Sequence, residues 1–363
     1  MSVLADRRSD RQDALRRRLT ELGLDALLVS HPPNVRYLTG FSGSSGLLLV
    51  THDRTLLITD MRYADQAPVE TAGAAEVLVE LSNIWERLRR VLESRGRTRL
   101  GFERERITVR DAERLARFEA ADPVGTADLV DALRLVKDEG EVEAIRRAAD
   151  LAQAALASLL PTIRAGQTER EIAARLEHAL RDRGSEWHPF QTIVASGPRS
   201  ALPHARASER SVARGELLLI DFGAQLDGYC SDITRTMIVG EADGRQREIY
   251  EVVRVAQRTA REGIWGGMSG READALARDV IEAAGFGESF GHSLGHGVGL
   301  EVHEGPRLAK LADEALPVGA VVTVEPGIYL QGWGGVRLED DVHLTGDGPR
   351  CLTDGRTELL TLH

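Results

Sequence analysis

The sequence has 363 residues, of which 42% are hydrophobic, so it can fill the cores of two domains without disulfides. Two cysteines are too few for a disulfide framework, and residues 1–30 are too charged for a signal peptide, so we expect a cytoplasmic, reducing location. The formal net charge of −11 disfavours binding to nucleic acid or anionic membranes, and no apolar run is long enough to span a bilayer.

The N-terminal part of the chain alternates helical and extended patterns. A charged amphipathic stretch near residues 9–22 is followed by the apolar runs DALLVS, LLLV and TLLITD, which together predict a small α/β domain. Around residues 120–138, proline, glycine and charge come together before a long helical pattern begins. We therefore place the domain boundary at residue 130, which gives an N-terminal domain of residues 1–130 and a second domain of residues 131–363.

Two segments of the second domain resemble each other. Residues 166–184 and residues 267–285 both begin and end with glycine. In each segment a hydroxyl residue is followed three positions later by glutamate, which is the spacing of a capping box at a helix start. The two pairs are Thr168 with Glu171, and Ser269 with Glu272. Both segments therefore predict a helix.

Acidic residues recur at matching places after each helix. Asp221 in GELLLIDFGA and Glu325 in GAVVTVEPGI each follow a glycine by six residues, and Asp232 and Glu339 come on the next strand-like runs. The likeness can reflect nothing more than two ordinary α/β segments. Alternatively, a duplication brings the four acids together, and such a cluster stays ionised only beside cations, which predicts a two-metal centre. Arg235 is the obvious basic residue nearby in the sequence.

A glycine-rich run with three histidines lies between the two acid pairs. Residues 290–306, FGHSLGHGVGLEVHEGP, include His292, His296 and His303. The run lacks the lysine of a P-loop and the G-x-G-x-x-G spacing, so its glycines are better explained by close backbone approach to a crowded site. The histidines can be ordinary surface residues, but beside the acids we expect at least one metal ligand. The DFG tripeptide at 221–223 lacks the other protein-kinase motifs.

The motifs IDFG, SDITR, GHGVG, EPGIY and RLEDD, in this order, resemble the five-ligand signature of the pita-bread metallopeptidases. That family includes methionine aminopeptidase, aminopeptidase P and prolidase, and the similarity covers residues 139–363. The front motifs NVRYLTGFSGSSG and LITDMRYADQA are similar to the Xaa-Pro peptidase branch, whose N-terminal domain methionine aminopeptidases lack. The resemblance implies an α/β (α+β) fold, with a small creatinase-like N-terminal domain followed by a duplicated pita-bread catalytic domain.

The resemblance also implies a metal centre. Asp221 would bind one ion, Asp232 and Glu339 would bridge two ions, and His296 and Glu325 would bind the other ion. An oxygen-rich ligand set with one imidazole suits two Mn²⁺ ions per subunit, with Co²⁺, Fe²⁺ or Zn²⁺ as substitutes. Glu325 would in addition accept and transfer the proton during attack. Because all five positions are retained, the metal-free creatine amidinohydrolase branch and non-catalytic relatives are disfavoured.

Further side chains receive catalytic and substrate-binding roles from the same resemblance. His204 matches a histidine near the scissile amide, and His303 matches one that stabilises the oxyanion. His292 matches a histidine that lines the proline pocket, and Arg337 matches an arginine near that pocket. The alternatives are that His204 is an ordinary loop residue and that Arg337 only pairs with an acid.

The function implied is hydrolysis of the Xaa-Pro bond at the N-terminus of short peptides, with Xaa-Pro dipeptides as the preferred substrates, as in prolidase. The alternatives are an aminopeptidase P that acts on longer peptides and, more remotely, a non-catalytic peptide-binding protein of this fold. Arg36 in HPPNVRYLTGF is hypothesised to bind the carboxylate of a dipeptide, with a plain surface arginine as the alternative. The family implies a homodimer, and the N-terminal domain is expected to contribute to dimerisation and substrate selection.

Overall fold

The structure is a computed structural model that describes residues 6–362. The chain divides into two units between Arg134 and Leu135. No helix in the described range is both long and apolar enough to cross a membrane. The helices of the first unit are α1 (Arg8–Leu22), α2 (Pro32–Thr39), α3 (Gln66–Thr71), α4 (Ile84–Arg95), α5 (Val109–Ala116) and α6 (Asp131–Arg134). Its strands are β1 (Ala26–Val29), β2 (Gly46–Thr51), β3 (Thr55–Asp60), β4 (Glu76–Glu80), β5 (Thr98–Glu103) and β6 (Ala121–Thr126).

The strands of the first unit form one mixed sheet in the order β4-β3-β2-β1-β5-β6. The pairs β1–β2 and β2–β3 are antiparallel and the other pairs are parallel. Strand β1 is buried at every position, because its sequence ALLV is covered on both faces of the sheet. Leu88 and Leu92 of α4 are fully buried in the same core as Leu28 and Leu49. The predicted α/β character of the N-terminal domain is confirmed.

The second unit contains the remaining elements. Its helices are α7 (Glu139–Leu159), α8 (Glu169–Asp182), α9 (Gly244–Gly263) and α10 (Gly270–Ala283). Its strands are β7 (Ile193–Ser196), β8 (Glu216–Phe222), β9 (Gln225–Leu226), β10 (Tyr229–Cys230), β11 (Ile233–Val239), β12 (Gly295–Gly297), β13 (Glu304–Leu308), β14 (Val321–Val324), β15 (Gly327–Leu330), β16 (Gly334–Arg337), β17 (Asp340–Thr345), β18 (Gly348–Cys351) and β19 (Leu360–Leu362).

The two predicted helices of the internal repeat are present as α8 and α10. Thr168 is the N-cap of α8 and forms a capping box with Glu171. Ser269 is the N-cap of α10 and forms the same box with Glu272. In each box the hydroxyl accepts from the backbone N–H of the glutamate, while the carboxylate accepts from the backbone N–H of the cap. Both helix starts were therefore predicted correctly.

The strands repeat the same pattern in two sheets. One sheet has the order β19-β11-β8-β7 and the other β13-β12-β14-β17-β18. In the first sheet, β8, which leads to Asp221, pairs antiparallel with β11, which follows Asp232. In the second sheet, β14, which leads to Glu325, pairs antiparallel with β17, which follows Glu339. Each half has its own apolar core, one around α8 and β8 and the other around α10 and β14. The duplication thus places corresponding acids at corresponding strand ends.

Candidate metal centre and active site

A cavity of about 490 Å³ in the second unit collects the acids and histidines selected from the sequence. Apolar and small side chains form part of its wall, and charged or imidazole side chains form most of the rest. Its lining residues are Phe190, Gln191, Ile193, Pro203, His204, Ala205, Arg206, Asp221, Asp232, His292, Ser293, His296, His303, Glu325, Arg337 and Glu339. The five predicted ligands and the four predicted active-site residues of this unit therefore share one cavity.

The four acids enter this cavity from matching strand ends. Asp221 lies near the end of β8, and Glu325 follows β14 directly. Asp232 immediately precedes β11, and Glu339 immediately precedes β17. This symmetry is the tertiary counterpart of the repeat in the sequence, and it explains why residues separated by about a hundred positions meet.

Three of the predicted ligands form a compact group. Asp232, His296 and Glu339 each offer one ligand atom, and these atoms lie within 4.8 Å of one another. The Nε2 atom of His296 is 3.4 Å from Oε1 of Glu325 and 3.9 Å from Oδ2 of Asp232. Carboxylate oxygens and an imidazole nitrogen at these separations form a donor set for a divalent cation.

A bound cation would stabilise the ionised forms of the buried acids in the cavity. Burial, with the neighbouring acids second, raises the pKa of Asp232 and of Glu339 well above the usual range. Burial also raises the pKa of Glu325 to about 8. The buried Oδ1 atoms of Asp221 and Asp232 have no hydrogen-bond partner among residues 6–362. Because a buried oxygen without a partner is costly, the residues fit a bound metal.

His296 is held in the orientation that metal binding requires. Its Nδ1 lies 3.1 Å from the carbonyl oxygen of Gly297, which can only accept, so Nδ1 donates and Nε2 faces the acids with its lone pair. Burial lowers the pKa of His296 to about 4, which keeps the ring neutral near pH 7. A Cβ on Gly295 would lie 2.1 Å from Thr323 O, and one on Gly297 would lie 1.8 Å from Gly305 O. The flanking glycines therefore permit the close approach predicted from the sequence.

Neighbouring polar groups orient the predicted bridging acids. The hydroxyl of Thr234 donates to Oε2 of Glu339 at 2.6 Å. The backbone N–H of Asp232 donates to Oδ2 of Asp341 at 3.1 Å, so a further buried acid holds the chain at Asp232. Thr234 was not selected from the sequence, although it stands in the SDITR motif two residues after Asp232. Hydrogen bonds of this kind fix ligand geometry around metals.

The arginine that pairs with the acids is Arg337 rather than Arg235. Nη2 of Arg337 donates to Oδ2 of Asp221 at 2.6 Å, and Nη1 donates to the hydroxyl of Tyr329 at 2.8 Å. Arg235 instead forms an ion pair with Asp340 at 2.8 Å, outside the cavity lining. Arg337 therefore has the acid-pairing contact that the sequence left as an alternative. Its predicted role in substrate binding stays a prediction.

The other predicted histidines surround the acids. Nε2 of His292 lies 2.8 Å from the hydroxyl of Tyr329, and burial lowers the pKa of His292 to about 4. His204 and His303 are exposed at the cavity, and the rings of His303 and His296 are 4.3 Å apart. Tyr329 was missed from the sequence, although it ends the quoted EPGIY motif.

Two arginines remain to be placed. Arg36 lies in the last turn of α2, in the first unit. Arg307, which was missed from the sequence, is exposed on β13 and stands directly opposite His296 in the β12–β13 pairing. Residues directly opposite each other in an antiparallel pair project from the same face, so Arg307 is on the His296 side of these strands, although it is not one of the residues that line the cavity. No sequence motif singled it out, because the pairing register is a tertiary property.

The fold and donor set define a metal-dependent hydrolytic centre. Residues 143–346 match metallopeptidase family M24, and residues 11–136 match the Creatinase/Prolidase N-terminal domain. The chain belongs to metallopeptidase family M24, and it is a metal-dependent peptidase. The predicted architecture, a creatinase-like domain followed by the catalytic domain, is thereby confirmed.

Several relatives match over nearly the whole chain. An Xaa-Pro dipeptidase from Pyrococcus horikoshii is 38% identical over 93% of this chain and 95% of its own. The structure of an Xaa-Pro dipeptidase from Bacillus anthracis has a TM-score of 0.94 and 41% identity, covering 98% of this chain and 100% of its own. The structure of an X-Pro aminopeptidase from Thermotoga maritima has a TM-score of 0.90 and 40% identity, covering 97% of this chain and 99% of its own.

Proposed function

We propose that this protein is a dipeptidase that hydrolyses Xaa-Pro dipeptides with two divalent metal ions per subunit. The observation that carries the proposal is the cavity in which five oxygen or imidazole ligands converge beside three further side chains with catalytic potential, His204, His303 and Arg337. The relatives named Xaa-Pro dipeptidase support the choice of substrate.

The metal ions would be held by Asp221, Asp232, His296, Glu325 and Glu339. Mn²⁺ is the proposed ion, because an oxygen-rich set with one imidazole suits it, with Co²⁺, Fe²⁺ or Zn²⁺ as substitutes. When bound, such ions supply Lewis acidity that activates water and polarises the scissile carbonyl. The unpartnered oxygens of Asp221 and Asp232 support this assignment.

The proton transfer and the substrate contacts are assigned to one of the metal ligands and to two histidines. Glu325 is the proposed proton acceptor, because its carboxylate lines the cavity among the proposed metal ligands. Partial burial lowers the pKa of His303, and this exposed imidazole beside His296 is the proposed stabiliser of the oxyanion. His204, which is exposed and lines the cavity, is the proposed contact of the scissile amide.

A proline after the scissile bond fits this arrangement chemically. The Xaa-Pro bond is a tertiary amide without an N–H, so an enzyme that depends on hydrogen-bonding that group handles it poorly. Here attack would not depend on such a bond. The ring of His292, which packs edge-on against Phe290 at 5.1 Å and is fixed by Tyr329, is the proposed wall of the proline pocket.

The free carboxylate of a dipeptide requires a cation near the pocket. Arg337 is already engaged by Asp221 and Tyr329, so it has little capacity for a substrate carboxylate. Arg36 remains the proposed carboxylate ligand from the N-terminal domain, and Arg307 is a second candidate because it projects from the His296 side of its strands. The alternative function, an aminopeptidase P that accepts longer peptides, is favoured by the name of the Thermotoga maritima relative.

The proposal includes a cytoplasmic homodimer in which the N-terminal domain contributes to dimerisation and substrate selection. Two free cysteines suit a reducing location. The dimer is an expectation from the family.

Product analysis with Ala-Pro and Ala-Pro-Ala tests the function. The Mn²⁺-loaded protein should release alanine and proline from Ala-Pro and should act weakly on Ala-Pro-Ala. Chelator-treated protein and a Glu325→Gln variant are the controls, and both should be inactive. Preference for the tripeptide would establish the aminopeptidase alternative. Absence of hydrolysis and of bound metal would contradict the proposed function.

A further inference from the structure

Each helix of the duplication carries one buried acid that pairs with an arginine and is not a proposed metal ligand. Glu169 is the first residue of α8 and is 0% exposed, and Asp274 lies on α10 and is 1% exposed. A buried carboxylate is costly unless it is fully paired and hydrogen-bonded. The partners of each acid therefore indicate what it holds in place.

Glu169, together with Arg199, connects the two ends of the segment formed by residues 196–208. Its Oε1 accepts from Ser196 N at 2.8 Å and from Ser196 Oγ at 2.9 Å. Its Oε2 accepts from Ser208 N at 3.1 Å and from Ser208 Oγ at 2.6 Å. Arg199 Nε donates to Oε2 at 3.0 Å, and Nη2 donates to Arg206 O at 2.5 Å. We call Glu169 and Arg199 the Glu169 clamp, because they join the two ends of segment 196–208.

The clamped segment carries one side of the active-site cavity. Pro203, His204, Ala205 and Arg206 all line the cavity. Within residues 6–362 no hydrogen bond holds the imidazole of His204, so the backbone of the segment determines where this ring stands. The clamp thus acts on His204 through the chain rather than through contact.

Asp274 and Arg278 act in the same way on the other half, and we call them the Asp274 clamp. Oδ1 of Asp274 accepts from Leu294 N and from Arg278 Nη2, both at 2.9 Å. Arg278 in turn donates to Phe290 O at 2.9 Å and to His292 O at 2.8 Å. Its guanidinium also stacks 4.1 Å from the centre of the Phe290 ring. The clamp therefore grips the backbone that carries His292 into the cavity.

We infer that the two clamps are positioning residues with separate effects on catalysis, the Glu169 clamp through His204 and the Asp274 clamp through His292. The inference rests on the proposed function, in which His204 contacts the scissile amide and His292 walls the proline pocket. A displaced His204 slows the chemical step. A displaced His292 weakens binding of the proline ring. Small displacements suffice, because a shift of about 1 Å in a catalytic group can lower the rate by about 10²-fold.

The isosteric variants Glu169→Gln and Asp274→Asn test this separation with Ala-Pro as substrate. Glu169→Gln should lower kcat by about tenfold or more with KM nearly unchanged. Asp274→Asn should raise KM by about tenfold with the smaller change in kcat. Ile172→Val and Ile281→Val are the matched controls, because they thin the buried faces of α8 and α10 without touching either clamp. Both controls should keep kcat and KM near the wild-type values.

Hydrogen exchange gives a readout that is independent of activity. Glu169→Gln should accelerate exchange in peptides from residues 196–208 and leave residues 290–294 unchanged, and Asp274→Asn should do the reverse. If a variant does not fold, Ser208→Ala and Arg278→Lys each weaken one clamp more mildly and are measured in the same way. Milder shifts in the same parameters would support the inference.

The outcomes separate this inference from the proposed function. The inference of two separate positioning clamps is overturned if kcat and KM change in parallel in both variants. It is also overturned if either variant accelerates exchange in both segments. A wild-type protein that does not hydrolyse Ala-Pro overturns the proposed function, and the segment-specific exchange pattern still decides whether the clamps position these two segments.

Discussion

Arg337 donates a hydrogen bond of 2.6 Å to Asp221, so a predicted metal ligand in one half of the duplication is held by an arginine from the other half. Both residues are buried. The same guanidinium reaches Pro203 O at 3.3 Å and Tyr329 at 2.8 Å, and it therefore connects the metal centre to the walls of the cavity. Only an arginine can make these contacts together, because its planar fork offers donors in several directions.

We expect Arg337→Lys to lower kcat/KM for Ala-Pro by about 10²-fold while bound metal stays near the wild-type content. Lysine keeps the positive charge beside Asp221 but cannot reach Tyr329 and Pro203 at once. Steady-state kinetics and metal analysis by mass spectrometry measure the two effects. Arg261→Lys is the control, since Arg261 pairs with Asp340 outside the cavity lining, and it should change kcat/KM little. Loss of metal in Arg337→Lys would contradict the expectation.

Asp232→Asn should lose most of its bound metal and its activity. The substitution removes a charge from a proposed bridging ligand while keeping the side-chain shape. In the metal-free state the variant should be at least as stable as the wild type, because one of the repelling buried acids is gone. Metal content and thermal unfolding are the measurements. Glu103→Gln, at a buried acid of β5 outside the cavity lining, is the control and should retain metal. A full metal content with near-normal turnover in Asp232→Asn would refute the ligand assignment.

His303→Ala should lower kcat by about 10²-fold, the scale of losing one oxyanion donor, and should leave metal content intact. His296→Ala is the matched comparison, because the rings of these two histidines are neighbours but only His296 faces the acids as a ligand. It should lose activity and metal together. Metal loss from His303→Ala would show that His303 binds metal and is wrongly assigned as the oxyanion stabiliser.

Arg36→Ala and Arg307→Ala address the preference for dipeptides. The arginine that binds the substrate carboxylate should, on replacement, raise KM for Ala-Pro about tenfold or more and change KM for Ala-Pro-amide little. An effect confined to Arg36→Ala would support the N-terminal domain as the selector. An effect confined to Arg307→Ala would move that role to β13. Equal effects on the acid and the amide from both variants would count against carboxylate recognition.

The stability of the metal-free protein should fall as pH rises from about 6.5 to 8. Acids whose pKa is raised by folding, such as Glu325 at about 8, hold more protons in the folded than in the unfolded state in this window, so unfolding becomes easier as pH rises. Below about 6.5 the buried His292 and His296, with pKa lowered to about 4, oppose this trend, because they bind fewer protons when folded. The higher window therefore isolates the acids.

Thermal unfolding of chelator-treated and Mn²⁺-loaded protein at pH 6.5 and 8 checks this expectation. The gain in Tm from the metal should be larger at pH 8, because the ion then binds acids that are costly to leave ionised and unpaired. Glu325→Gln should reduce the pH dependence of the metal-free Tm. A metal-free Tm that rises between these pH values would contradict the raised pKa of the acids.

The sequence by itself determined the local features and the family. Capping boxes at Thr168 and Ser269 specify helix starts through contacts three residues apart, so they can be read without knowledge of the fold. The motifs around the five predicted ligands are also local, and they identified the class of centre. The repeat of acids after matching glycines indicated that two halves would meet.

Only the tertiary structure decided which charges pair. Arg235 is close to Asp232 in sequence, yet its guanidinium lies with Asp340, and the distant Arg337 holds Asp221 instead. Likewise, the link between Glu169 and the segment that carries His204 spans residues whose proximity no local pattern records. Helix caps and strand ends depend on neighbours along the chain, whereas ion pairs and strand register depend on how the two halves pack, and that packing exists only once the whole domain has folded.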